Sequence, residues 1–203
     1  MLLTVYHSAD CIKSRFLRLV LREMDWDLRE FDVNDPSAAE HLTRFKENLG
    51  SGSKPIVPAI YSNEVYSHEL LCILEYLHER NPGASMYPDA PSVRLYARSM
   101  FSRVIRELVP AWERYQLDGD NGPLISLYNQ TEEVIENMAK SPTTFRSNPD
   151  TPTFLEILFA LLVIEVSRFN QIKRKHISRW VQQLANRPSF ALVRNKFRTP
   201  ATI

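Results

Sequence analysis

Residues 56–80 read IVPAIYSNEVYSHELLCILEYLHER, and this stretch decides the fold. Ile56 to Tyr61 and Glu64 to Tyr66 are β-prone runs on either side of Ser62 and Asn63, the pattern of a hairpin. His68 to Arg80 follows at once as an apolar-faced helix. Working upstream, the loop GSGSKP at 50–55 separates the hairpin from a helix over Ser37 to Leu49, which stops at Gly50. Leu28 to Val33 reads as a strand. Ile12 to Met24 carries Phe16, Leu17, Val20, Leu21 and Met24 at helical spacing, and Leu2 to Tyr6 is a short β-prone run. The first eighty residues therefore alternate as βαβαββα.

Downstream, Asn81 to Pro91 holds Pro82, Gly83, Pro88 and Pro91 and no apolar period, so it reads as a linker of restricted conformation. It divides the chain into a domain over 1–80, a linker over 81–91 and an all-helical domain over 92–203. The helices expected there are Val93 to Gln116, Leu124 to Lys140 after a turn over Asp118 to Pro123, Phe154 to Val166, His176 to Ala185 and Ser189 to Phe197, the last two broken by Arg187 and Pro188. Thr153 followed by Glu156 has the form of a capping box, in which the threonine hydroxyl accepts from the amide three residues on while the glutamate reaches back to the threonine amide. It would start the most apolar helix of the chain. FLEILFALLVIEV, 154–166, holds Glu156 and Glu165 and falls short of the roughly 20 residues that cross a bilayer. A buried helix is expected, and no membrane association.

Lys and Arg number 25 against 24 Asp and Glu, a net charge of +1 that gives no broad handle on a phosphate backbone, so direct nucleic-acid binding is not expected. Two cysteines, Cys11 and Cys72, are too few for a disulfide framework or a zinc site, which points to a reducing, cytoplasmic setting without metal chemistry. The opening MLLTVYHSAD lacks the basic segment and apolar run of a signal peptide.

The βαβαββα order is that of a thioredoxin-like domain. Joined through a proline-rich linker to a helical domain with a capping box on its central helix, it resembles the cytosolic glutathione transferase fold, an α/β plus all-α architecture. Val57-Pro58-Ala59-Ile60 is similar to that fold's Val-Pro-x-Leu segment, where the proline is cis and the preceding backbone pairs with glutathione. Glu69 matches the acidic half of the Glu/Gln-Ser pair that holds the γ-glutamyl end. Three further segments, LTVYHSADCIKSRFLRLVLREM at 3–24, ELLCILEYLHERNP at 69–82 and the arginines Arg94, Arg98 and Arg103, resemble the bacterial stringent starvation protein A family. That resemblance implies a stress-response regulator bound to RNA polymerase holoenzyme or sigma factor, active as a homodimer or as a heterodimer with a paralogue, with no cofactor.

Leu70 stands where a glutathione-binding transferase has serine, so a charge-assisted bond of about 1.5–3 kcal/mol is missing and Glu69 reads as a carboxylate favoured by the helix N-terminus. Cys11 is the enzyme alternative. It falls where omega-class transferases carry their catalytic cysteine, with Lys13 and Arg15 nearby, and under that reading Val57, Pro58 and Glu69 hold glutathione. Those enzymes follow the cysteine with proline, and this chain has Ile12. Tyr6, His7, Ser8 and Ser14 lie near the same strand end without a motif. His7 reads as a turn residue, His41, His68, His78 and His176 carry no motif, and Cys72 reads as core.

The family's partner face is a Pro-His-Pro segment, matched here by Pro82, Gly83 and Ala84, beside which Tyr87 and Pro88 offer an exposed, rigid aromatic anchor. Arg94 and Arg98 extend the candidate face, and the Arg94, Arg98, Arg103, Arg106 series also suits a solvated or dimer surface. Lys173 to His176 (KRKH) and Arg194 to Arg198 (RNKFR) are brief basic clusters, suited to an acidic protein partner or a phosphate-rich small ligand rather than to DNA.

Overall fold

A computed structural model of the chain describes residues 2–43, 56–62, 65–84, 86–141 and 150–194. The chain forms two compact units, Met1–Pro82 and Gly83–Ile203.

The first unit runs β1 (Leu3–His7), α1 (Ile12–Glu23), β2 (Leu28–Asp32), a 3-10 turn (Pro36–Ala38) leading into α2 (from residue 39, described to 43), β3 (Ala59–Ser62), β4 (Val65–Ser67) and α3 (Leu70–Arg80). The remainder of the helix expected to Leu49, the loop at 50–55 and the hairpin turn at 63–64 lie outside the described residues. The sheet order is β2-β1-β3-β4. β1 pairs parallel with β2, Leu3 opposite Leu28 and His7 opposite Asp32, and antiparallel with β3, Val5 opposite Ile60. Alternation along β1 splits its side chains between two faces. Tyr6 joins Ala59, Ala38 and Leu42 in one cluster with Phe31, Val57, Tyr61 and Tyr66 packed against it, whereas Leu3, Val5 and His7 point to the opposite face. Buried Phe16, Leu17, Leu19, Val20 and Leu21 give α1 its core face, and Leu70, Ile73, Leu74 and Leu77 do the same for α3.

Two assignments from the sequence change here. His7 is the last residue of β1 and is buried, because the strand runs one residue further than its apolar pattern and Val33 donates its amide to the His7 carbonyl at 2.8 Å. Cys72 is exposed, since the buried positions 70, 73, 74 and 77 set the phase of α3 and residue 72 falls off it.

The second unit is helical where it is described: the end of the 3-10 turn Pro82–Ala84, then α4 (Pro91–Asp118), α5 (Gly122–Lys140), α6 (Phe154–Val166), α7 (Lys175–Ala185) and α8 (Pro188–Arg194). Pro91 opens α4 instead of closing the linker, and Pro123 and Pro188 likewise stand in the first turns of their helices, where the missing N–H costs nothing. Gly119, at a φ of 75°, ends α4 in the left-handed conformation that glycine adopts without strain. α6 is the central element and packs on α4, α5 and α7. Its capping box is formed: Glu156 N–H donates to Thr153 Oγ1 at 3.2 Å and Thr153 N–H to Glu156 Oε2 at 2.8 Å. Among the described residues no helix is long and apolar enough to cross a membrane.

Candidate functional site

The first candidate site is the turn between β1 and α1. Ser14, fully buried, accepts the Ser8 amide on Oγ at 3.2 Å, and Ser8 Oγ accepts from the Asp10 amide at 3.3 Å and from Asn34 Nδ2 at 2.9 Å. Arg15 Nε donates to the Ala9 carbonyl at 2.9 Å, and Cys11 N–H to the Ser8 carbonyl at 3.2 Å. These bonds hold Cys11 as the N-cap of α1 with extended backbone. Its thiol lies 3.6 Å from the Val57 carbonyl and donates to it, and the Val57–Pro58 peptide is cis. Cys11, Val57 and Pro58 are thus brought together. The Cys11 side chain makes no capping hydrogen bond to the first turn of α1.

Glu69 stands at the start of α3. It is the N-cap of α3, but its side chain makes no capping bond, is 75% exposed, and instead lies 3.5 Å from His68 Nε2. Leu70, the next residue, is buried. The start of α3 therefore offers an incoming carboxylate its backbone amides and no side-chain hydroxyl.

Around the strand end, His7 Nδ1 stands 3.9 Å from Asp32 Oδ2, and Tyr6 stacks on Phe31 at 5.7 Å, so both are occupied within the sheet. His41 packs on the Phe31 ring at 4.1 Å and contacts Arg29 Nη2 at 3.4 Å. Glu30 on β2 is gripped by Arg18 Nε at 2.6 Å and by Arg22. Burial alone would raise its pKa, but the hydrogen bond and charge of Arg18, the charge of Arg22 and that of His7 outweigh it and hold the carboxyl below its ordinary value. Among the described residues no group of three or more His, Cys, Asp or Glu is arranged to hold a metal.

The second candidate site, the partner face after α3, needs correction. Tyr87 is 2% exposed and packs against Phe154 with ring centroids 4.7 Å apart, while the Arg98 guanidinium covers its ring at 4.9 Å. Pro88 is buried. Arg94 Nε donates to the Pro88 carbonyl at 3.1 Å, and Phe154 N–H to the Met86 carbonyl at 3.3 Å. Tyr87, Pro88, Arg94 and Arg98 accordingly anchor this segment to the start of α6. An amphipathic aromatic beside the N-terminus of a buried, largely apolar helix finds more area to bury there than in solvent. Pro82 and Gly83 are exposed, and Ala84 completes their 3-10 turn. The sequence reading missed Leu95 and Tyr96, which are 66% and 43% exposed on the first turns of α4. Their signal was the spacing: Ala97, Phe101, Val104 and Leu108 carry the buried face of α4, and 95 and 96 fall outside it.

A groove of about 310 Å³ between α4 and α5 has a floor of Pro110, Ala111, Pro123 and Leu127. The charges at its edge are already paired, Glu107 with Arg103 at 3.5 Å and Arg114 with Asp120 at 3.8 Å.

The chain as a whole is similar to solved structures. An omega-class glutathione transferase (Omega 3C) from Trametes versicolor matches 98% of this chain and 90% of its own at a TM-score of 0.66 and 16% identity. A glutathione transferase from Methylococcus capsulatus matches 95% and 97% at 0.70 and 15%. The chain has the glutathione transferase fold. A glutathione transferase from Methylobacterium radiotolerans, solved with glutathione sulfonate, matches all of this chain and 98% of its own at 0.64 and 18%. No protein-family model matches the chain, and no curated protein matches it.

Proposed function

We propose that this chain is a non-catalytic regulator of transcription that acts on RNA polymerase holoenzyme or its sigma factor, as its resemblance to the stringent starvation protein A family implies. The observation that carries the non-catalytic half is the start of α3, where Leu70 is buried in place of a hydroxyl and Glu69 turns outward to His68. A glutathione carboxylate bound there forgoes a charge-assisted bond of about 1.5–3 kcal/mol, roughly ten- to a hundred-fold in affinity. The fold then serves as a scaffold, as a homodimer or with a paralogue. With Tyr87, Pro88, Arg94 and Arg98 committed internally, the partner contact moves to the exposed Leu95 and Tyr96 on α4 and to Pro82 and Gly83. Exposed apolar and aromatic side chains of this kind anchor protein interfaces.

One observation favours a second reading, thiol transfer: Cys11 stands at the N-cap position of α1 with its thiol at the carbonyl of the cis Val57–Pro58 peptide. In that chemistry the Cys11 thiolate attacks the glutathione sulfur of a mixed disulfide, the substrate leaves as a thiolate, and a second glutathione thiolate releases glutathione disulfide and restores Cys11. Calorimetric titration with glutathione, combined with an exchange assay on a glutathionylated thiol, separates the two. The regulator reading expects neither saturable heat nor exchange, and expects Leu70→Ser to gain binding. Saturable binding with exchange that disappears in Cys11→Ser overturns it in favour of thiol transfer.

A further inference from the structure

We propose that the solvent face at the start of α7 is a docking site for an acidic segment of a partner protein. Lys173, Lys175, His176 and Arg179 are all exposed there, while the fifth basic residue, Arg174, is turned inward onto Glu132, at 3.1 Å, and Glu136 of α5. The contrast with the rest of the helical unit is what marks this face. Arg103, Arg114, Lys140 and Arg168 each reach a carboxylate and Arg94 and Arg106 each reach a backbone carbonyl, whereas no described ion pair or side-chain hydrogen bond involves Lys173, Lys175, His176 or Arg179. The undescribed stretches of this unit cannot supply the missing charge from a side chain, since 142–149 and 195–203 contain no Asp or Glu.

The placement also opposes local preference. The first turn of α7 has no acidic residue, and its basic groups stand at the positive end of the helix dipole, with Lys175 and Arg179 repelling each other four residues apart. Charges held against helix preference on a chain of net charge +1 are a local feature, of the kind kept for contact with an anion. The face is firm, because Ile177, Trp180, Val181 and Leu184 fix the opposite side of α7 in the core.

Charge complementarity selects the occupant. The apolar side of α7 is buried, so no hydrophobic face remains to enter a lipid surface. Lys175 and Arg179 span about 6 Å of helix axis, short for tracking a nucleic-acid backbone and matched to two or three carboxylates of a peptide. Ser178, Gln182 and Gln183, exposed on the same helix, add neutral hydrogen-bonding groups around the cations.

The proposal is independent of the polymerase reading and its test uses no polymerase. Fluorescence anisotropy of a labelled oligoglutamate peptide is measured with the full chain, with a Lys175→Glu/Arg179→Glu variant and with an Arg103→Glu/Arg106→Glu variant on α4, against a labelled single-stranded oligonucleotide of equal charge and phosphatidylserine vesicles. Circular dichroism melting confirms that all three proteins fold. The expected result is peptide binding that weakens as salt rises, falls about tenfold or more in the α7 variant and persists in the α4 variant. Absence of peptide binding, equal binding by the α7 variant, or tighter binding of the oligonucleotide or the vesicles overturns it.

Discussion

Thr153 joins two backbone amides to one helix start, accepting from Glu156 and donating to the Glu156 carboxylate through its own N–H, and both residues are buried. Thr153→Ala removes the cap acceptor at the head of the most buried helix, and the expected loss is about 1–2 kcal/mol in urea unfolding, with Thr153→Ser retaining most of the stability. Tyr87 behaves in the same structural way. Because it lies between Phe154 and the Arg98 guanidinium, Tyr87→Ala is expected to cost about 3 kcal/mol or more, and partner binding is expected to fall only in proportion to unfolding. The capping box was legible because both partners sit three residues apart ahead of an apolar run. The burial of Tyr87 was not, since a segment of Pro, Gly, Ser and Asp carries no period that says which of its side chains turns inward. Cys72 is a different case. The phase 70, 73, 74, 77 was present in the sequence and places residue 72 outside, so its exposure was readable from helix geometry.

Among the elements, β2 shows how charge holds an edge strand. Glu30 is paired with Arg18 and Arg22 of α1, which tie the helix to the outermost strand of the sheet. Its carboxyl titrates below the ordinary 4.5, so the unfolded chain takes up this proton first as the pH falls. The stabilising contribution is therefore complete above that value and is lost as acid carries the pH down through the folded-state pKa. Thermal melts of the wild-type chain and Glu30→Gln are expected to differ at neutral pH and to converge in acid; a gap that is independent of pH contradicts this assignment. α7 is held by a similar device, Arg174 reaching Glu132 and Glu136, and Tyr128 donating to Glu132 at 2.8 Å. Arg174→Ala leaves Glu132 without its cation while Glu136 keeps Lys140, and a loss of about 1 kcal/mol is expected in denaturant unfolding, most of it recovered by Arg174→Lys. Element types were legible along the chain from apolar period and punctuation, with α6 matching residue for residue over 154–166. Ends were less so: Pro91 belongs to α4 because a proline is as well suited to a first helical turn as to a loop.

At the scale of the molecule, element order made the fold readable, since few arrangements satisfy βαβαββα followed by helices alone. Function was less readable because it turns on a handful of positions where this chain departs from a glutathione-binding pattern, Ile12 and Leu70 above all, and on which exposed residues a partner covers. Leu95 and Tyr96 took the place of Tyr87 and Pro88 only once burial was known. The role proposed for them gives a further expectation: Leu95→Asp/Tyr96→Asp abolishes binding to the proposed partner while the melting temperature stays within a few degrees, because neither side chain fills the core. The most direct test of the regulator reading is sizing chromatography of the purified chain with the RNA polymerase holoenzyme of its own organism at moderate salt. Co-elution of both the wild-type chain and Cys11→Ser is the predicted result; clean separation from polymerase, or co-elution that requires the Cys11 thiol, contradicts it.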